Sequence, residues 1–249
     1  MERIQKVLAG VGLASRREIE SWITAGRVAV NGKPAELGQK IGAGDRVQVD
    51  GRFIRTAVKP QATQVLLYKK RVGELVTRDD PEGRRTVFRK LPKLESGRWI
   101  AVGRLDINTS GLLLFTNDGE LARRLMHPSY EIQREYAVRV LGEIDEGTLK
   151  RLRQGVELDD GPARFERIVA AQRPADEDDE ESANRWFQVT VKQGRNRVVR
   201  RLWESQNCQV SRLIRIGYGP ISLGRGIKSA GYREATPDEL KALRAAVKF

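Results

Sequence analysis

One cysteine, Cys208, and one histidine, His127, are all that this chain offers to a covalent staple or a soft metal site. A disulfide within the chain is therefore impossible, and zinc sites built on Cys/His sets are excluded, as are Cys-His and HExxH arrangements unless His127 serves. Whatever the chain folds into must be held by its hydrophobic core. Its 249 residues are enough for that without staples, and at roughly 150 residues per domain they suggest one or two domains. The opening MERIQKVLAG carries charges every few residues and no apolar run of signal-peptide or membrane-span length. These features predict a soluble, cytoplasmic protein with no membrane association and no bound metal. An enzyme of this composition works with carboxylates, Arg, Lys and Tyr.

Charge narrows the partner. Lysine plus arginine number 46 against 33 acidic residues, a formal net charge of +13. Arginine dominates, and its planar fork of donors suits phosphates and guanine edges. A polyanion, nucleic acid above all, is the expected partner. One segment runs against this trend: residues 176–181 (DEDDEE) are six consecutive acids, expected to form a solvated hairpin loop.

The first sixty residues read as a small unit. Ile4, Val7, Leu8 and Val11 fall on one helix face. Ser15 followed by Glu18 is a capping-box pattern opening a second short helix that carries Ile19, Trp22 and Ile23 and closes at Gly26. Val28 and Val30 then alternate into Asn31-Gly32, a hairpin turn signal, and Val47 and Val49 mark a further strand over 46–50. Residues 51–63 lack clean periodicity and read as a linker. From 64 a larger domain begins with the buried strand QVLLY, followed by strands over 99–105, 112–116, 135–141 and 185–192 and a short helix over 120–126. The helices and strands interleave without βαβ regularity, which predicts an α+β domain with a mixed, mainly antiparallel sheet.

The pieces Arg3–Leu8, Ser15-Arg16-Arg17 and Ala25–Gly32 of the first unit resemble an S4 RNA-binding domain. That resemblance implies a basic face for folded RNA, with Arg3, Lys6, Arg16, Arg17, Arg27 and Lys33 as its contacts.

The segment with the most chemistry is Gly103-Arg104-Leu105-Asp106-Ile107-Asn108-Thr109-Ser110-Gly111, a polar turn between an apolar strand and the apolar run 112–115. An Asp at a strand end beside an Arg can stay ionised and point outward as a nucleophile or base. Asp is also a common turn former, so the pattern alone leaves both roles open. Tyr136 shares a strand face with Val138 and Val140, the pattern of a core residue. Arg197, Arg200, Arg201 and Glu204 fall at helical spacing, with Val199, Leu202 and Trp203 toward the core. His127 suits a helix-end hydrogen bond, and Cys208 a small buried position. Lys69, Lys70 and Arg71 read equally as a phosphate contact or a solvated strand edge.

Residues 103–119 (GRLDINTSGLLLFTNDG), 134–138 (REYAV) and 192–202 (KQGRNRVVRRL), in that order, resemble the motifs of the pseudouridine synthases that carry an N-terminal S4 domain. The resemblance covers almost the whole chain. It implies that Asp106 is catalytic, that Arg104 helps displace the target base, that Tyr136 packs on the uracil, and that Arg200 pairs with the catalytic Asp. Arg197 and Asn196 are implied as neighbouring substrate contacts, with Arg197 and Arg201 close in register to Arg200. Arg71 stands where such chains usually have Pro, and Val198 where Gln or Glu is usual. Stretches 78–83, 98–104, 125–129 and 210–215 point within the family to 23S ribosomal RNA; separately, a stem-loop is the expected anchoring partner of the S4 unit, and a monomer the expected state.

The reaction so implied breaks N1–C1′ of a uridine, turns the freed uracil and joins C5 to C1′. It involves neither redox change nor phosphate transfer, so no cofactor is expected. Two alternatives remain at this level: the same chemistry on small-subunit rRNA or tRNA, and a non-catalytic S4-type RNA-binding or ribosome-assembly protein.

Overall fold

The computed structural model describes residues 1–56, 62–172 and 185–249. The acidic run 176–181 lies outside the described residues, as do residues 57–61 of the expected linker. The chain divides into two compact units, one of residues 1–63 and 92–99, the other of residues 64–91 and 100–249.

In the first unit, Glu2–Arg3 (β1) leads into helix α1, Ile4–Gly10, and helix α2 covers Arg16–Thr24. The capping box forms as the sequence predicts: the Glu18 amide donates to Ser15 Oγ at 3.1 Å and the Ser15 amide to Glu18 at 3.3 Å. Strands β2 (Val28–Val30), β3 (Lys33–Pro34), β5 (Val47–Val49) and β6 (Arg52–Ile54) make a four-stranded antiparallel sheet, while β4 (Lys40–Ile41) pairs with β1. Ile4, Leu8, Ile19, Ile23, Val28 and Val47 close a small core between helices and sheet.

Two expectations are corrected here. Residues 51–63 are not all linker, because Arg52–Ile54 pairs with Val47–Val49 through an Asp50-Gly51 turn. Asp50 and Gly51 have φ of 49° and 76°, the same left-handed pair as Asn31 (52°) and Gly32 (81°). The Asp-Gly signal was in the sequence. Residues 92–99, expected within the larger domain, belong to the first unit. There a Cβ on Gly12 would lie 2.7 Å from the carbonyl oxygen of Gly97, so only glycine allows this backbone approach.

The second unit is α+β. Among the described residues its sheet has nine strands. The strands, in chain order, are β7 (Val65–Lys70), β8 (Ile100–Ala101), β9 (Ser110–Thr116), β10 (Arg134–Leu141), β13 (Arg167–Ala170), β14 (Arg185–Val191), β15 (Gln209–Tyr218), β16 (Ile221–Ser222) and β17 (Tyr232–Glu234). They run in the order β13-β14-β10-β15-β9-β7-β17, with β8 beside β9 and β16 beside β15. Every pairing is antiparallel except β15 with β9 at the centre. A separate hairpin, β11 (Val156–Leu158) with β12 (Gly161–Ala163), lies outside the sheet.

β7 and β9 are buried along nearly their whole length, so they read as continuous apolar runs, while β15 alternates. Val65, Leu67, Leu112 and Leu114 pack with α3 (Gly119–Met126) and α6 (Pro237–Ala246) through Leu121, Leu125, Leu243 and Val247. Phe187 of β14 and Phe165 pack on Trp203 of α5 (Val198–Glu204), with ring centroids 5.1 and 5.9 Å away. Helix α4 covers Glu146–Gln154. The strand expected over 99–105 is confined to Ile100–Ala101, since Gly103 (φ 79°) turns the chain into a loop before β9 begins. No helix among the described residues is long and apolar enough to cross a membrane.

Candidate active site

The loop between β8 and β9 sits where the one parallel pairing of the sheet starts. Ser110 and Gly111 face Ile214 and Arg215 of β15. That approach is very close: a Cβ on Gly111 would fall 2.2 Å from the Arg215 carbonyl oxygen, and Gly111 has φ of 102°. Just before it the chain makes a tight turn in which the Thr109 amide donates to the Asp106 carbonyl at 3.0 Å.

Two buried cations hold this turn by its backbone. Lys70, the last residue of β7, is 1% exposed. Its Nζ donates to the carbonyl oxygens of Thr109 at 2.7 Å, Asp106 at 2.9 Å and Arg71 at 3.1 Å. Burial pushes its ammonium down to about 8, against the opposing pull of the Glu74 and Asp106 charges. Glu74 is itself buried, accepting the Tyr68 hydroxyl at 3.0 Å on either oxygen and the Arg71 amide at 3.2 Å. From the other side Arg200 donates to the Asn108 carbonyl at 3.1 Å and to the Val210 carbonyl at 2.9 Å, while its Nε has no partner among the described residues. Burial, then the neighbouring Arg197, lowers the Arg200 guanidinium from its usual range, and the Asp106 charge opposes this.

Lys70 is thus neither a phosphate contact nor a solvated edge; its place on β7 in step with Leu66 and Tyr68 was the sequence signal for an inward-facing lysine. Arg200 also differs from the expected arrangement. It forms no direct ion pair with Asp106 among the described residues, and its Nη groups donate to the two carbonyls instead. Among the described residues the Asp106 carboxylate has no hydrogen bond or ion pair, and the side chain is half-buried. Its backbone is fixed and its oxygens are uncommitted.

Tyr136 is brought into line with this loop by register. It faces Arg215 across β10–β15, and Arg215 faces Gly111 across β15–β9. Its ring is 9% exposed, as expected for a face shared with Val138 and Val140. Arg104 is exposed and carries no ion pair among the described residues. Of the three arginines in question on the helix segment, Arg200 alone bonds to the loop. Arg197 is exposed, caps α5 in a left-handed conformation (φ 48°) and lies 3.6 Å from Glu204. Arg201 forks onto Asp160 at 2.8 and 2.9 Å. Asn196 is exposed in the turn before α5.

Two anchors escaped the sequence reading. Arg195 donates to the carbonyls of Asp160, Gly161 and Pro162 at 2.7, 3.0 and 2.6 Å, tying the β11–β12 hairpin to the residues before α5. Arg134 donates to the Lys192 carbonyl at 2.6 Å and lies over the Tyr218 ring at 5.2 Å, joining the Tyr136 strand to the same segment. Each is an arginine bonded to carbonyls distant in sequence, a pairing that no local spacing signals. His127 accepts the Ser129 amide at 3.3 Å at the end of α3, and Cys208 is buried, both as expected.

In the first unit Arg3, Arg16, Arg17 and Lys33 are exposed without ion pairs among the described residues. Lys6 is paired with Glu2. Arg27 forks onto Asp50 at 2.6 and 2.8 Å and stacks on Trp22 at 5.0 Å, so it is committed to the β5–β6 turn.

Residues 64–205 match the family described as RNA pseudouridylate synthase, and residues 2–47 match the S4 domain family. A protein of Haemophilus influenzae named ribosomal large subunit pseudouridine synthase B is 54% identical over 249 residues, spanning 99% of this chain and 68% of that one. Its namesake in Salmonella typhimurium is 54% identical over 253 residues, spanning 100% of this chain and 84% of its own. A crystal structure of a pseudouridylate synthase shares the fold, with a TM-score of 0.65 at 22% identity over 98% of this chain and 100% of that chain.

Proposed function

The chain belongs to the RNA pseudouridylate synthase family, and from that premise we propose that its substrate is a uridine of large-subunit ribosomal RNA, with Asp106 as the catalytic residue. The observation that carries this reading is the loop 106–109: Lys70 and Arg200 occupy its carbonyls and leave the Asp106 carboxylate uncommitted. The substrate assignment rests on the near full-length relatives named for the large ribosomal subunit.

The chemistry needs a carboxylate at the sugar, a cationic environment for it and a wall for the base. Asp106 acts at the ribose, by attack on C1′ or removal of the C2′ proton, as the N1–C1′ bond breaks. Arg200 and Lys70 provide the positive field at short range, and Tyr136 the wall against which the uracil turns before C5 bonds to C1′. The proton on C5 leaves and N1 gains one, so the reaction is an isomerisation. Reaching this site requires the uridine to leave its stack, at a cost of a few kcal/mol that is least for an unpaired nucleotide. Arg104, exposed two residues before Asp106, fills the vacated stack in this reading, and the exposed Asn196 and Arg197 meet the flanking backbone. Arg3, Arg16, Arg17 and Lys33, exposed and without ion pairs among the described residues, supply the phosphate contacts of the S4 unit.

Tritium release from C5-labelled uridine in 23S rRNA transcripts tests this directly. Wild type is expected to release tritium and Asp106→Asn none, with RNA affinity retained. Release by both proteins would remove Asp106 from the mechanism, and release from small-subunit RNA or tRNA alone would move the substrate.

A further inference from the structure

Residues 71–90, between β7 and β8, frame two adjoining clefts of about 380 and about 280 Å3 that share Thr86 and Arg89. The frame is well tied. The Leu75 amide donates to the Arg85 carbonyl at 2.9 Å and the Val87 amide to the Leu75 carbonyl at 3.0 Å. The Gly73 amide donates to the Ile107 carbonyl at 2.9 Å, so the cleft wall begins against the loop that carries Asp106.

The cations around these clefts fall into two sets. Arg84 forks onto Asp80, with contacts of 2.7 and 3.1 Å, and also reaches Glu82 at 3.0 Å. Arg85, Arg89 and Lys90 line the larger cleft, are exposed, and have no carboxylate within ion-pair distance among the described residues. The acids on the larger cleft's side are already engaged: Glu74 is buried under Tyr68 and Arg71, and the Asp80 charge is offset by its ion pair with Arg84, while exposed Asp79 lines the smaller cleft. Three uncompensated cations converging on one groove fit a polyanion better than any neutral ligand. The local aromatic surface is already used, because Arg78 covers the Phe88 face at 4.4 Å and Phe115 meets that ring edge-on at 5.3 Å. The groove therefore offers charge without a stacking platform for a base.

We propose that this groove is a track for the phosphodiester backbone of the substrate RNA next to the nucleotide presented to Asp106, an inference that rests on the synthase reading above. Recognition there is of phosphate, by Arg85, Arg89 and Lys90, and carries no base preference.

The test is the combined variant Arg85→Ala/Arg89→Ala/Lys90→Ala in the full chain, compared with wild type on a 23S stem-loop transcript with single-stranded flanks. Filter binding over a salt series should show Kd raised about tenfold or more, and the slope of log K against log [salt] shallower by about 2, at roughly 0.7 per single-strand phosphate. KM for tritium release should rise with Kd while kcat moves less than twofold. The variant Arg85→Lys/Arg89→Lys keeps the charge and should retain most of the affinity. Wild-type Kd and salt slope in the triple variant would overturn the proposal. Wild-type protein that binds with the predicted difference but releases no tritium would overturn the synthase reading and leave the track standing.

Discussion

The Lys70 ammonium donates to the backbone carbonyl of Asp106 at 2.9 Å, and to that of Thr109 at 2.7 Å. Two problems resolve each other there. A lysine with 1% exposure loses its hydration and needs replacement acceptors. A turn drawn in beside a sheet has carbonyls that need donors. The result is a loop whose backbone is fixed without any ligand, which under the proposed role of Asp106 leaves its carboxylate preorganised.

Replacing Lys70 by methionine keeps the stem and removes the donors. The orphaned carbonyls should cost about 2–4 kcal/mol of stability, read as a lower urea midpoint. Tritium release should lose kcat more than KM, because RNA contacts elsewhere are intact. A variant with the wild-type midpoint would show that Lys70 does not hold the loop.

The same lysine gives a pH signature. Its folded value of about 8 lies below its ordinary value of 10.5. Between those values the unfolded chain binds a proton that the folded chain does not, so this group makes stability rise with pH in that window. Below about pH 8 both states are protonated and the contribution is flat. The stability difference between wild type and Lys70→Met should therefore shift in favour of wild type as pH rises from 8 to 10. A difference independent of pH over this range would contradict the burial that lowers the group.

The elements legible in the sequence are those whose signals are local. Ser15 and Glu18, Asn31-Gly32, and the runs at 65–68 and 112–115 each specify a cap, a turn or a buried strand within a few residues. The burial of Tyr136 was legible from its strand face, whereas the roles expected of Asp106, Tyr136 and Arg200 rest on motif resemblance. What stayed hidden depends on distance in the chain. Arg200 reaches carbonyls at 108 and 210, and Arg195 reaches those at 160–162, so neither partner is visible from spacing. The Asp50-Gly51 turn was legible but masked by the irregular residues after it.

Gly111 is where the parallel pairing leaves no room for a side chain. Gly111→Ala would place a Cβ at 2.2 Å from the Arg215 carbonyl, in a backbone conformation of φ 102°. Neither strand can yield without breaking the sheet centre, so the change should cost about 3 kcal/mol or more. Gly103→Ala meets no atom within 4 Å and carries only the φ penalty at 79°, about 1 kcal/mol. Urea midpoints of the two variants side by side check the ordering; equal losses would mean the close approach at Arg215 is not there in solution.

Arg200 and Arg197 separate position from charge. Arg200→Lys keeps the cation but loses the planar fork whose two separate Nη groups reach the Val210 and Asn108 carbonyls. It should lose about 1–3 kcal/mol of stability and lower kcat for tritium release by roughly tenfold to a hundredfold as the loop loosens. Arg197→Ala removes an exposed cation whose nearest acid is Glu204 at 3.6 Å. Stability should stay within about 0.5 kcal/mol, and any effect should fall on KM for RNA. Steady-state kinetics on both variants decide between the two arginines: if Arg197→Ala takes the larger loss in kcat, the guanidinium serving Asp106 is Arg197 and the buried bridge at Arg200 only holds the fold.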